Sequence, residues 1–423
     1  MSKRYTRRDF VRTGAAALAA GGAAGLLNAS ASVAAAPATS IAELRRRLRG
    51  PVLVASDAGW DDARALYNPR LTVSPRAIAF CESSGDAAEV VRFARRRGWP
   101  AAARGGRHSF AGYSNVAGGI VADVSRIDAV AVERDRAIVR VGGGANVLDV
   151  YRDLVVKHGL AVPVGTCPTV GVSGLTLGGG FGHLMRRYGV TADSLRGATV
   201  VLADGSIVRC SDAVRADLFW ALRGGGAGYG IVTQLRFATR RPGDPIVFAL
   251  TFPWAQAGAA LDAWQRSMPA AGRELAYGRF RALSHPPDPP TAQPTLSATA
   301  SGHWYGSESA LRTLLAPLLA AQPTHQTIGR RKFVDAALPD AARRTADGHV
   351  TATVEHFPNY QRSDFFDALL PGPAIAALLA RIEAWPGRFG SGHEGGVQLD
   401  ALGAEVNRPR PGATAFVHRT NRL

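Results

Sequence analysis

The glycines of this chain are gathered rather than spread, with clusters at residues 104–106, 142–144, 171–182 and 224–230 set between short apolar runs. A backbone without Cβ atoms can turn sharply, approach another backbone closely, or aim its amides at an anion. The elements between such loops must therefore be short and tightly connected. Residues 76–81 read as a buried strand, and 83–97 as a capped helix ended by Gly98. Residues 119–124 and 137–141 read as strands, and 146–158 as an amphipathic helix stopped by Gly159. Residues 200–209 form a hairpin turned at Asp204-Gly205. Beyond Pro242 the glycine clustering fades. Strands are expected there at 246–252, 275–280, 296–304 and 350–355, helices at 257–267, 308–320 and 374–385, and a proline-rich surface loop at 286–294. A chain of 423 residues that is 46% hydrophobic can bury more than one core. The pattern gives an α+β chain of two domains divided near residues 240–243.

Residues 1–36 read as an export signal. Five basic residues precede Thr13, Arg7-Arg8 stand among them, and no charge follows until Glu43. The apolar run at 14–27 and the small-residue stretch Ala29-Ser30-Ala31 complete the pattern of a twin-arginine signal with a cleavage site. Fourteen Ala/Gly-rich residues are too few to cross a bilayer, which takes about 20. No stable membrane anchor is expected, and the export machinery is the implied partner.

Charge and cysteine content narrow the function classes. Lysine and arginine total 50 against 33 acids, yet the lysines are only Lys3, Lys157 and Lys332, and the arginines are dispersed along the chain. Nucleic-acid binding requires a patch, not a total, so no nucleic-acid partner is expected. Cys81, Cys167 and Cys210 cannot build a disulfide framework and lack the spacing of a zinc site, so no metal is expected.

Glycine loops often hold phosphate, and spacing decides whose. A dinucleotide fingerprint needs a third glycine where Val147, His183 and Ile231 stand, and no lysine follows a glycine as a P-loop demands. Both common nucleotide motifs fail. The ordered set is more informative: Arg104-Gly105-Gly106-Arg107-His108-Ser109-Phe110, then Gly165-Thr166-Cys167-Pro168-Thr169-Val170-Gly171, then Leu177-Gly178-Gly179-Gly180-Phe181-Gly182, then Arg187-Tyr188-Gly189, and finally Asp217-Leu218-Phe219-Trp220 running into Gly224-Gly225-Gly226.

With these motifs the sequence resembles the berberine bridge enzyme-like flavoproteins, of the vanillyl-alcohol oxidase (PCMH-type) FAD-binding fold. The likeness is strong over residues 67–231 and thinner through 413–419. It implies a PCMH-type FAD-binding domain over 37–242 and a substrate domain over 243–423, with an antiparallel sheet covered by helices. It implies that Arg104, Gly105, Gly106, Arg107 and Ser109 belong to the loop around the FAD pyrophosphate. His108 matches the histidine bonded to the flavin 8-methyl group, and Cys167 the cysteine bonded to flavin C6. Gly171, Gly174 and Gly178 would line the ring and ribityl chain, with Gly230, Ile231 and Val232 adding backbone contacts.

Val170 matches the position where valine leaves dioxygen a path to the flavin. The implied reaction is hydride transfer from an alcohol, sugar, glycosylated metabolite or alkaloid-like compound to FAD, with O2 then giving hydrogen peroxide. A dehydrogenase using another acceptor, or a catalytically impaired flavin-binding protein, are the alternatives.

Departures from the family pattern are Phe110, where many relatives carry a pocket tyrosine, and Ala227-Gly228-Tyr229-Gly230, where Gly-Asn-Phe-Gly is usual. Relatives also continue beyond the position of Leu423 with a Tyr-x-Asn-Tyr segment that can take the substrate proton. The resemblance thus implies a C-terminally truncated substrate domain and slow turnover, with Tyr113, Tyr188 and His418 as substitute bases. One prediction follows from the leader: replacing Arg7 and Arg8 by lysine leaves cofactor-loaded precursor in the cytoplasm, measured by fractionation and flavin fluorescence.

Overall fold

The computed structural model describes residues 40–286, 295–338, 343–344, 350–351, 356, 358–385 and 394–423. The export leader, most of the proline-rich loop and the end of the strand expected at 350–355 lie outside the described residues. Residues 39–423 form one compact unit.

The first sheet orders its strands β1-β2-β4-β3: Val52–Leu53, Ala77–Phe80, Ile120–Asp123 and Ala101–Arg104. β2 and β3 both run parallel to β4. Parallel neighbours need a crossover, and the helix Ser84–Arg97 supplies one. Its start is fixed by the Ser83 hydroxyl, which accepts from the Asp86 amide at 3.1 Å, and its end by Gly98 at φ 61°. Ala87, Val90, Phe93 and Ala94 on its inner face are buried against Ala77, Ala79 and Ala122. β3 escaped the sequence reading because Ala101-Ala102-Ala103 has neither branched side chains nor alternation.

The second sheet is antiparallel in the order β5-β6-β9-β7-β8, made of Val130–Val132, Ile138–Gly142, Ile231–Ala238, Leu195–Val201 and Ile207–Cys210. The helix expected at 146–158 is present but changes type. An α-turn Val147–Val150, closed by a reciprocal Asn146/Asp149 cap, passes into a π-helix at Tyr151–Val156. A further helix, Val172–Leu177, stands inside what reads in the sequence as continuous glycine loop.

The third sheet draws only on residues after 245, in the order β13-β10-β12-β11-β16: His325–Arg330, Ile246–Phe252, Thr295–Trp304, Leu275–His285 and Gly395–Asp400. A short ladder, Arg343–Arg344 with Val350–Thr351, supplies β14 and β15. Period-2 burial sends Ile246, Phe248, Leu250 and Phe252 inward, against helices Ala257–Ser267, Glu308–Leu319 and Gly372–Glu383. The architecture is α+β, with helices on one face of this sheet.

Polar groups hold the two halves of the chain together. Arg186, fully buried, donates from Nε to the Leu275 carbonyl at 3.0 Å and from Nη2 to that of Ala271. Arg419 forks onto Asp193 at 2.6 and 2.9 Å and also reaches the Val406 carbonyl and the Thr414 hydroxyl. The segment 415–419 is irregular, with Phe416 and Arg419 buried as anchors and Val417 turned to solvent. Phe416 fills space that only glycine leaves: a Cβ on Gly179 would come within 2.6 Å of its ring, and one on Gly224 within 2.4 Å of its Cβ.

Removing one partner of a buried ion pair strands the other charge, which costs about 3–5 kcal/mol. Arg419→Ala is therefore expected to lower unfolding free energy by that amount in urea titration. Arg312→Ala, which breaks an exposed i,i+4 pair with Glu308, should change it by less than about 1 kcal/mol.

Candidate active site

Two glycine loops meet backbone to backbone. A Cβ on Gly106 would fall 2.3 Å from the Gly171 amide nitrogen and 2.7 Å from the Thr169 carbonyl oxygen, and one on Gly171 would lie 2.6 Å from the Gly106 nitrogen. No side chain of any kind fits at either position. This contact brings His108 and Cys167 to one hydroxyl: Thr169 Oγ1 lies 2.8 Å from His108 Nε2 and 3.7 Å from Cys167 Sγ. Tyr67 stacks on the imidazole at a centroid distance of 4.2 Å and meets Phe110 edge-on at 5.9 Å.

Across from them, His356 hydrogen-bonds the Leu66 carbonyl at 2.8 Å, and the Asn68 amide donates to the Asn359 carbonyl at 2.9 Å. Burial, helped by the nearby His356, pushes the His108 pKa down to about 4. The imidazole is neutral at physiological pH. Its Nε2 is engaged by Thr169, which leaves Nδ1 as the nitrogen free to form a bond. Cys167 is partly exposed, whereas Cys81 and Cys210 are buried with their thiol pKa values raised by burial.

The remaining expected residues divide. Arg104 does not turn its charge toward an open loop: its side chain is fully buried, donating to Asp123 at 2.7 Å and to Asn115 at 3.0 Å, with Nη2 left without a partner among the described residues. Arg107 adopts a left-handed φ of 62° and donates to the Asp62 carbonyl. The Ser109 hydroxyl accepts from the Tyr113 amide, while the Tyr113 ring is 79% exposed and is not brought to the histidine. Val170 packs its side chain on the core under the second sheet.

Gly174 faces open space, and Gly178 has nothing closer than 3.7 Å. Gly230 instead makes room for Val200 and Val201, and the Ile231 and Val232 side chains belong to the cores, so only their backbone can meet a ligand. Of the other bases considered, Tyr188 lends its hydroxyl to the Arg241 carbonyl, and His418 is stacked on Phe365 at 3.6 Å.

A second group was not foreseen. The face of the third sheet opposite those three helices carries Tyr277 and Arg279 on β11, His303 on β12 and Asp400 on β16, with Arg279 and Asp400 opposite each other in register and paired at 2.8 Å. His183, at the end of the 178–183 loop, stacks on His303 at 4.7 Å and meets Tyr277 edge-on at 4.8 Å. His183 Nδ1 and His303 Nδ1 are both buried without a hydrogen-bond partner among the described residues. Alternating polar residues at 277, 279 and 281 and at 398 and 400 were the available sequence signal.

These surroundings fit FAD. The Gly106/Gly171 contact fixes the two loops that bear His108 and Cys167, Gly174 gives an open cradle, and the unpaired Nη2 of Arg104 is a donor without an acceptor among the described residues. The FAD binding domain family matches residues 75–211. The chain is 30% identical over 381 residues to the FAD-linked oxidoreductase YgaK of Bacillus subtilis, covering 89% of this chain and 79% of that protein. Three further curated relatives align over 64%, 41% and 53% of their own lengths.

Among solved structures, BBE-like 1 of Physcomitrella patens superposes with a TM-score of 0.75 at 22% identity, over 91% of this chain and 82% of that one, a likeness of fold. Glucooligosaccharide oxidase of Acremonium strictum, described with a 6-S-cysteinyl, 8α-N1-histidyl FAD, superposes at 0.70 with 27% identity, over 88% of this chain and 78% of that one. The site and fold define a PCMH-type FAD-binding flavoprotein. This chain belongs to the FAD-linked oxidoreductases and has the fold of the berberine bridge enzyme-like flavoproteins.

The buried imidazoles set the pH response. Burial lowers the His303 pKa to about 4; burial, then His303 and Arg279, lower that of His183. Tyr277 and Asp400 complete the titratable surroundings, and burial raises the Tyr277 pKa. Both histidines are neutral when folded and protonate near pH 6.5 when unfolded. The unfolded chain therefore holds more protons between about pH 6.5 and 4, and stability falls as pH drops through that window. The urea midpoint should be lower at pH 5 than at pH 7.5, and His303→Gln should flatten the difference; an unchanged slope would remove His303 as its source.

Proposed function

We propose that this protein is an exported oxidase that carries FAD on two covalent bonds, through His108 and Cys167, and oxidises an alcohol carbon of a sugar or glycosylated metabolite with O2 as acceptor. FAD, when bound, supplies the two-electron acceptor. The observation that carries the reading is the Thr169 hydroxyl reached by both His108 Nε2 and Cys167 Sγ. A neutral imidazole has the lone pair that bond formation requires. The glucooligosaccharide oxidase that superposes on this chain holds its flavin by the same two kinds of side chain.

In this reading residues 37–242 hold the cofactor and 243–423 present the substrate. Substrate hydroxyls would supply the partners that His183 Nδ1 and His303 Nδ1 lack, since buried polar atoms are seldom left unpaired. The Arg279/Asp400 pair beside them would orient a neutral polyol by donating and accepting at once. Val170 is assigned the oxygen path.

Acid-precipitated protein should stay yellow in the His108→Ala and the Cys167→Ala variants and lose its colour only when both are changed. Release of free FAD from the wild-type protein by acid would overturn the attachment. Peroxide formation on a panel of sugars and alcohols, compared with dye reduction, then separates an oxidase from a dehydrogenase.

A further inference from the structure

The polar face of the third sheet continues past Arg279 to its open end, where three neighbouring strands align a second group of side chains. His285 closes β11. On one side its Nε2 lies 2.8 Å from Ser297 Oγ on β12, and on the other its Nδ1 lies 3.4 Å from Oε1 of Glu394, the residue before β16. The register makes this a fixed arrangement. Leu283 pairs with Ser297 and His285 with Thr295, so Ser297 sits diagonally across the ladder from the imidazole. Ser284 pairs with Gly395, which brings Glu394 alongside His285. The second carboxylate oxygen of Glu394 is held by Arg281 Nη2 at 2.9 Å. Arg281 Nε, on the same face, is buried with no hydrogen-bond partner among the described residues. The imidazole itself is one-third exposed, at 34%, and so can be reached from solvent.

A serine hydroxyl on a histidine with a carboxylate behind that histidine is the nucleophile, base and orienting group of acyl transfer. We propose that Ser297, His285 and Glu394 form a second, hydrolytic site that cleaves small carboxylic esters. Ser297 Oγ bonds to the ester carbonyl carbon while its proton passes to His285 Nε2. The carbon–alkoxy bond then breaks, and the leaving alcohol takes the proton from Nε2. Water next gives a proton to Nε2 and its oxygen to the acyl carbon, the bond to Oγ breaks, and Ser297 regains its proton. The net change is ester plus water to acid plus alcohol. Glu394 is a positioning residue that keeps Nδ1–H turned toward itself and Nε2 toward the serine. Arg281 Nη2, bonded to the other carboxylate oxygen, holds Glu394 in that position. None of these residues belongs to the flavin-attachment site, so this proposal stands or falls separately from the oxidase reading.

The test uses the full flavin-loaded chain. Treatment with diisopropyl fluorophosphate followed by peptide mass spectrometry should place a single adduct on Ser297. Hydrolysis of p-nitrophenyl acetate should saturate with substrate and fall about 100-fold or more in Ser297→Ala and in His285→Ala, as loss of base-assisted attack predicts. Glu394→Gln should fall less and shift the pH–rate profile, which loss of fold alone would not do. Flavin absorbance and the urea midpoint of each variant report that it is folded. An adduct on another serine, no adduct, or wild-type hydrolysis by a folded Ser297→Ala protein would overturn the proposal. So would a rate that depends on His285 but not on Ser297, since the imidazole would then be acting alone.

Discussion

The contact on which the candidate site depends is a meeting of two backbones. Where residues 105–106 cross residue 171, every atom that touches is main chain, and the clearance is smaller than a methyl group. Side chains cannot mediate such a contact, so it transmits no rotamer freedom. The loops bearing His108 and Cys167 are therefore placed relative to each other with the stiffness of peptide planes. Thr169, whose own carbonyl is part of the crossing, then presents a hydroxyl to both side chains, at His108 Nε2 and Cys167 Sγ. Arg104 supports the same crossing from below. Its buried bonds to Asp123 and Asn115 tie the end of β3 to β4 and to the loop that returns from His108. Burying that charge is unfavourable by itself, and an accompanying aspartate and amide are what make it tolerable. The positive charge expected around a pyrophosphate thus serves first to fix the loop.

Not every glycine cluster does this work, and the differences explain what the sequence could tell. Gly142, Gly143 and Gly144 lie against the carbonyls of Ile127, Val232 and Val124, so they let the first two sheets approach. Gly179 and Gly224 admit Phe416 from the far end of the chain. Only Gly174 among the expected ribityl-lining positions has nothing within 4 Å of the place a Cβ would take. Composition and order of the motifs distinguish these roles poorly, because each demands the same absence of Cβ.

The strongly periodic elements were legible: the helix after Ser83, the hairpin at Asp204-Gly205 and the apolar faces of β10 and of the helix Ala257–Ser267 all follow from caps, turns and spacing. β3 was not, since a run of alanines takes its conformation from the neighbour it pairs with. The π-helix was hidden for a similar reason: the periodicity of residues 146–158 fits an α-helix, and the extra residue per turn shows only in the hydrogen bonds. At the site, His108 and Cys167 could be read because motifs surround them. His356 could not, being 290 residues from the carbonyl it binds, and neither could the meeting of His183 with His303 across the two halves of the chain.

Net charge and local protonation follow different physics in this molecule. The chain carries a formal charge of +17, and on the helix Ser84–Arg97 one carboxylate, Glu89, is shared by Arg47, Arg92 and Arg96. Such a surplus is tolerable because it is exposed, where water screens it within about 10 Å at moderate salt. The histidines at issue occupy the opposite limit. His108, His183 and His303 all have lowered pKa values, and burial is the largest cause in each case, ahead of any neighbouring charge. At His183 the charge of Arg279, itself paired with Asp400 at 2.8 Å, adds to the burial penalty. Burial thus keeps the adjacent rings neutral, with ring nitrogens still able to accept a hydrogen bond.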